Sequence, residues 1–117
     1  MSKKALVIGN DSYHDSPLSG CVNDARCIAH LLKRNSDESP NFSTDLRLDE
    51  SARLIKHSIK SLFEGQCDVA LLYFAGHGTS AADESGIVGI DGNVVSFNYI
   101  MSQVAKSKHR HNILIFD

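Results

Sequence analysis

The strongest pattern in the chain is the run Val69–Ala75, apolar throughout and ending at Gly76-His77-Gly78. An uninterrupted run of this length predicts a strand buried on both faces, as in a parallel sheet covered by helices, rather than one with a wet face. Two other runs read the same way. Residues 5–10, Ala-Leu-Val-Ile-Gly-Asn, predict a first buried strand closed by a turn, and residues 112–117, Asn-Ile-Leu-Ile-Phe-Asp, predict a last one. Leu46 and Leu48 instead alternate with Asp45, Arg47 and Asp49, the signature of a short edge strand.

Between these runs the apolar period changes to that of helices. From Cys21 onward, Val22, Ala25, Ile28, Ala29 and Leu32 share one helical face, with Asn23 and Asp24 in a first turn where an acid suits the helix dipole. Ala52, Ile55, Ile59, Leu62 and Phe63 form a second stripe, ended by Gly65. Ser96 caps a third helix carrying Phe97, Ile100, Met101 and Val104. Residues 11–20 and 35–44 are polar connections. Residues 79–92 are a glycine-containing excursion whose Ile87-Val88-Gly89-Ile90, turn Asp91-Gly92 and Val94-Val95 predict a small hairpin. The order β-α-β-α-β-hairpin-α-β predicts an α/β fold, a mostly parallel, doubly wound sheet with helices on both faces. The last strand, read as central, would have its carboxyl edge at Asp117, so the pattern expects further chain beyond it.

Composition narrows this picture little. The 117 residues suit a single domain, 1–117, with one modest core. A net charge of -2 argues against a nucleic-acid partner, and the basic stretch 106–111 reads as a solvated loop. No apolar run reaches membrane-spanning length and the amino terminus does not resemble a signal peptide, so no membrane partner and a cytoplasmic location are expected. Cys21, Cys27 and Cys67 are odd in number with no Cys-x-x-Cys pair, which predicts reduced thiols without a disulfide or zinc site.

The candidate chemistry sits at His77. Ligands of open parallel sheets bind beyond the carboxyl ends of the strands, and flanking glycines let a substrate approach closely. His77 would act as general base and acid, and the Gly78 amide as an oxyanion donor; the structural alternative is a polar residue closing a strand into a glycine turn. No G-x-G-x-x-G or G-x-x-x-x-G-K loop follows the first strand, so no nucleotide cofactor is indicated, although topology alone leaves a receiver-like or nucleotide-binding domain open. A nucleophile is missing.

Tyr73-Phe74-Ala75-Gly76-His77-Gly78-Thr79 resembles the histidine motif of the caspase and metacaspase cysteine peptidases of the C14 type. Residues 5–10 and the stretch Leu18-Ser19-Gly20-Cys21-Val22-Asn23-Asp24-Ala25 resemble the family's first strand and first helix, and residues 113–117 the strand that leads into its catalytic cysteine. The resemblance implies a three-layer caspase-like sandwich and the amino-terminal, large-subunit part of a cysteine endopeptidase domain. His77 and Gly78 would then be catalytic, and Asp24 and Asp117 would line a primary pocket selecting Arg or Lys. The nucleophilic cysteine, about 50 residues after the histidine in caspases, would lie just beyond residue 117. The implied partners are a peptide or protein substrate and the small-subunit remainder of the domain; no cofactor is implied. Cys21 falls near a second cysteine found in some metacaspases, with no role assigned to it, and a small buried hydrophobe is the favoured reading.

Two departures bear on function. Calcium-dependent metacaspases carry paired aspartates before the third helix, where this chain has Val95-Ser96-Phe97-Asn98, so no metal is expected; Asp83, Glu84 and Asp91 are the acids left nearby. Ala75 stands where many relatives have serine, so the pocket wall differs. A non-catalytic caspase-like regulatory module remains the alternative, which a cysteine two positions after Asp117 would disfavour.

Overall fold

The computed structural model describes residues 2–81 and 84–117; Asp83 lies outside them. In chain order the elements are β1 (Lys3–Gly9), α1 (Cys21–Lys33), β2 (Ser43–Leu48), α2 (Ala52–Phe63), β3 (Val69–Ala75), β4 (Gly78–Ala81), β5 (Glu84–Val88), β6 (Val94–Ser96), α3 (Phe97–Lys106) and β7 (His111–Phe116). The main sheet has the order β2-β1-β3-β7 with every pair parallel. Gly9 pairs with both Leu48 and Ala75, and Phe74 with Phe116, so the carboxyl ends of all four strands come out level. That edge carries the candidate chemistry.

Alternation within the unbroken apolar runs sorts the side chains into two layers. Ala5, Val7, Leu71, Tyr73 and Ala75 face α1 through Ala25 and Ala29. Leu6, Ile8, Ala70, Leu72 and Phe74 face α2 and α3 through Ile55, Ile59, Leu62 and Ile100. Leu72 has no exposed surface, so truncation to alanine there would cost about 2–5 kcal/mol in lost transfer energy and cavity. Helices of this α/β fold thus lie on both faces of the sheet, as the pattern predicts.

Helix α1 is set by its contact with β1. A Cβ on Gly9 would lie 2.6 Å from both the Ala25 Cβ and the Cys21 carbonyl oxygen, so only glycine lets the first turn of α1 rest on the strand end. Gly20 offers no side-chain cap; instead the Asp11 carboxylate accepts the Cys21 and Val22 N–H groups at 2.9 and 3.1 Å. Helices α2 and α3 are capped locally, Ser51 accepting from the Leu54 amide and Ser96 from that of Tyr99, as expected for Ser96.

Three expectations need correction. The excursion holds a three-stranded antiparallel sheet, β4-β5-β6, where the pattern predicted one hairpin. The hairpin is β5–β6, while the Gly-Thr-Ser-Ala of β4 has no apolar alternation to betray a strand. Strand β7, last in the sheet formed by the described residues, is not buried on both faces there: Ile113, Ile115 and Phe116 are 41%, 42% and 41% exposed. Its Leu114 packs into the α2/α3 layer and the Phe116 ring meets Phe97 at 5.2 Å, but α1 lies over β1, β2 and β3 and leaves the other face of β7 bare. The basic stretch 106–111 is not wholly solvated, because His109 is only 6% exposed. Its Nδ1 accepts the Cys67 N–H at 2.9 Å and its Nε2 donates to the Leu62 carbonyl at 2.8 Å, tying the end of α2 to the foot of β3.

Candidate active site

Strand β3 delivers His77 to the carboxyl edge, and the loop after β1 fixes it there. A Cβ on Gly76 would lie 2.5 Å from the Tyr13 hydroxyl oxygen and 2.7 Å from the Phe74 ring, so this position too is restricted to glycine. The His77 N–H donates to Tyr13 Oη at 2.9 Å, and that hydroxyl donates to the Val88 carbonyl at 2.8 Å. The Tyr13 ring sits against the imidazole with centroids 4.3 Å apart. Burial raises the Tyr13 pKa, although the hydrogen bond from His77 opposes this, so the hydroxyl keeps the proton it donates.

The imidazole itself is oriented by a backbone group. His77 Nε2 lies 2.6 Å from the Ser16 carbonyl oxygen, which can only accept, so Nε2 carries the proton. Nδ1 is left as the basic nitrogen. Gly78 opens β4 opposite Ile87, and its surface joins that of His77 in the same cleft.

The acids stand on the α1 face of the same edge. Tyr73, pointing into the α1 layer, donates from its hydroxyl to Asp117 Oδ2 at 3.0 Å. Its pKa is pushed up to about 12, by burial first and then by the bond to and charge of Asp117, with Asp24 and Cys21 adding to the effect. The Cys21 thiol is likewise raised, by burial first, then by Asp11, Asp24 and Asp117. Cys21, Asp24, Tyr73 and Asp117 therefore share one electrostatic neighbourhood. Cys21 is half-buried rather than sealed in the core.

A relay of carboxylates holds this neighbourhood in place. Asp49, in the left-handed region at φ 53° just after β2, accepts the Asp11 and Ser12 N–H groups at 2.9 and 3.0 Å through Oδ1. Burial would raise its pKa, but those bonds outweigh burial and hold it below the ordinary value. Asp11 in turn caps α1, which carries Cys21 and Asp24. Fully buried Asn10 exchanges two hydrogen bonds with the backbone of Glu50, locking the ends of β1 and β2 together.

The caspase-domain model of peptidase family C14 matches residues 2–115. The chain belongs to the caspase-domain family. It is 33% identical over 95 residues to Metacaspase-4 of Arabidopsis thaliana, covering 74% of this chain and 23% of that protein. Its fold superposes on the crystal structure of protein GSU0716 from Geobacter sulfurreducens with a TM-score of 0.80, at 14% identity, covering 100% of this chain and 50% of that one. The chain thus spans at most half the length of these relatives.

Within this caspase domain, the structure places His77, Gly78, Asp24 and Asp117 at one sheet edge, with the acids on the α1 face. Sequence reasoning missed Tyr13, Ser16, Tyr73, Asp11 and Asp49. Tyr13 had a faint signal, being the lone aromatic in an otherwise polar loop. A backbone carbonyl such as that of Ser16 leaves none. Cys67 lies before β3, at the opposite end of the sheet from His77, and Cys27 is exposed along α1. Among the described residues no three His, Cys, Asp or Glu side chains converge as metal ligands. No helix among them is long and apolar enough to cross a membrane.

Proposed function

We propose that these residues form the histidine, oxyanion and specificity parts of a cysteine endopeptidase site that cuts peptide or protein chains after Arg or Lys, with the thiol nucleophile supplied from outside residues 1–117. The observation that carries this reading is the His77 hydrogen bond to the Ser16 carbonyl, which leaves Nδ1 to take a proton. A thiol within reach gives its proton to Nδ1, and the thiolate adds to the scissile carbonyl carbon. Backbone N–H groups including that of Gly78 receive the oxyanion. The resulting imidazolium, held in orientation by the Ser16 carbonyl, passes its proton to the leaving amine as the C–N bond breaks. Water, deprotonated by Nδ1, then releases the acyl group and restores the thiol.

Asp24 and Asp117 would attract a cationic side chain and repel an acidic one. None of the three thiols in this chain suits the nucleophile's role, since burial first and acidic neighbours second raise the Cys21 pKa and the other two lie elsewhere. The bare side of β7 supports a further strand from the remainder of the domain as partner. Three free thiols fit a reducing cytoplasm.

The test is peptide hydrolysis by the complete protein. Arg- and Lys-ended substrates should be cut and Asp-ended ones should not; His77→Ala should abolish turnover, and Asp24→Ala should weaken cleavage after Arg. Efficient cutting of Asp-ended peptides alone would overturn the specificity, and absence of His77-dependent cleavage would favour a regulatory module.

A further inference from the structure

An open cleft of about 380 Å³ adjoins His77 on the side away from the acids. Its walls are the loop after β1, with Tyr13, Asp15 and Ser16, and the β5–β6 hairpin, with Val88, Ile90 and Asp91. None of Cys21, Asp24, Tyr73 or Asp117 lines it. The acids lie on the α1 face, whereas the hairpin's Ile87 and Val95 pack into the α2/α3 layer. His77 stands between the two.

We propose that this cleft receives the segment of a peptide substrate that follows the scissile bond, and that Asp15 and Asp91 on its rim select against acidic side chains there. The inference rests on the peptidase reading above and extends it to the leaving side. A general acid must stand within hydrogen-bond reach of the nitrogen it protonates, so the departing chain begins beside His77. The cleft opens beside His77 and is not lined by Asp24 or Asp117, so a chain departing into it leaves those acids free for the side chain before the cut. Its size fits one or two side chains. Half-buried Val88 and Ile90 offer an apolar floor, while the exposed Asp15 and Asp91 carboxylates stand at the mouth. The segment that fits is an apolar residue directly after the cut, followed by a neutral or basic one.

The two rim acids are not equivalent as probes. Asp91 accepts the Ala52 and Asn93 amides and so supports the hairpin. Asp15 is 96% exposed and its side chain pairs, among the described residues, with the equally exposed His14 at 3.9 Å, so its replacement should leave the fold alone.

The experiment compares the complete protein and its Asp15→Lys variant on Arg-containing peptides with Lys or Glu two positions after the cut, and on an Arg amide whose leaving group is a dye. The unsubstituted protein should prefer Lys over Glu by about two- to fivefold in kcat/KM, the scale of exposed charge pairs, and Asp15→Lys should reverse the preference. Raised salt should flatten it. Hydrolysis of the dye amide, which has no residues to place in the cleft, should not change. In parallel, affinities of the same peptides are measured in the His77→Ala background, where nothing is cut. Normal dye and peptide cleavage with no leaving-side charge preference, before or after Asp15→Lys, would overturn the cleft while leaving the peptidase reading intact. Binding with a preference that Asp15→Lys reverses, without any cleavage, would support the cleft and sink the peptidase. Neither binding nor cleavage would overturn both.

Discussion

At the residue scale the site depends on single polar groups that each serve two partners. Tyr13 Oη accepts from the His77 amide and donates to Val88, so Tyr13→Phe keeps the ring against the imidazole but orphans two backbone groups. The expected cost is about 1–3 kcal/mol in urea unfolding, together with, on the proposed peptidase reading, a lower kcat for the complete protein as His77 loosens. Unchanged kcat at reduced stability would make Tyr13 a purely structural residue. Tyr73 gives a pH prediction. Its pKa is about 12 when folded, by burial first and Asp117 second, against about 10 when unfolded. Between those values the unfolded chain binds fewer protons than the folded one, so the Tyr73 contribution is complete below pH about 10 and is lost as pH rises toward 12. Tyrosinate absorbance should rise late in the folded protein, and Asp117→Asn should shorten the lag without abolishing it. A Tyr73 that ionises with the unfolded chain would contradict the burial. The Tyr13–His77 pairing was hidden in the sequence because its partners are 64 residues apart and neither has a motif that names the other.

At the scale of elements, legibility followed the kind of signal. Strands β1 and β3 and the three helices were readable because their apolar period states directly which faces are covered. For β7 the same reasoning failed, since an apolar run reports the character of its faces and not whether a neighbour covers them. Strand β4 was invisible because its short polar sequence is held by pairing with β5 rather than by a buried face. His109 was lost in a charged stretch because its burial comes from tertiary contact with α2 and β3. Replacing it by phenylalanine keeps much of the ring volume but leaves the Cys67 N–H and Leu62 carbonyl unpaired, which should cost about 1–3 kcal/mol for each group that stays buried. Hydrogen exchange should locate the damage: the Cys67 amide should exchange faster while amides in the middle of β1 stay protected. Uniform loss of protection would point to global destabilisation instead.

For the whole molecule, the match of the caspase-domain model over residues 2–115 assigns the family, while the dependence of activity on metal is a separate question. Calcium takes six to eight oxygen ligands, usually with several carboxylates, and the described residues gather no such set. With Val95-Ser96-Phe97-Asn98 offering no paired acids before α3, the proposed peptidase activity of the complete protein should withstand EDTA; a loss reversed by added calcium would implicate acids outside the described residues, Asp83 among them. The sheet order has another consequence, for the birth of the protein. Of the four strands of the main sheet β1 is synthesised first, yet it lies inside the sheet, and the bond from the Ser2 amide to Asp68 at the foot of β3 spans 66 residues. At synthesis rates of about 5–20 residues per second, the nascent chain spends roughly 3–13 s with Leu6, Val7 and Ile8 lacking the strand that will cover one edge of β1. During that interval a strand that ends up buried in the folded domain is exposed and sticky. Chains that stop short of β3 should accordingly be clients of chaperones or proteases rather than smaller folded domains.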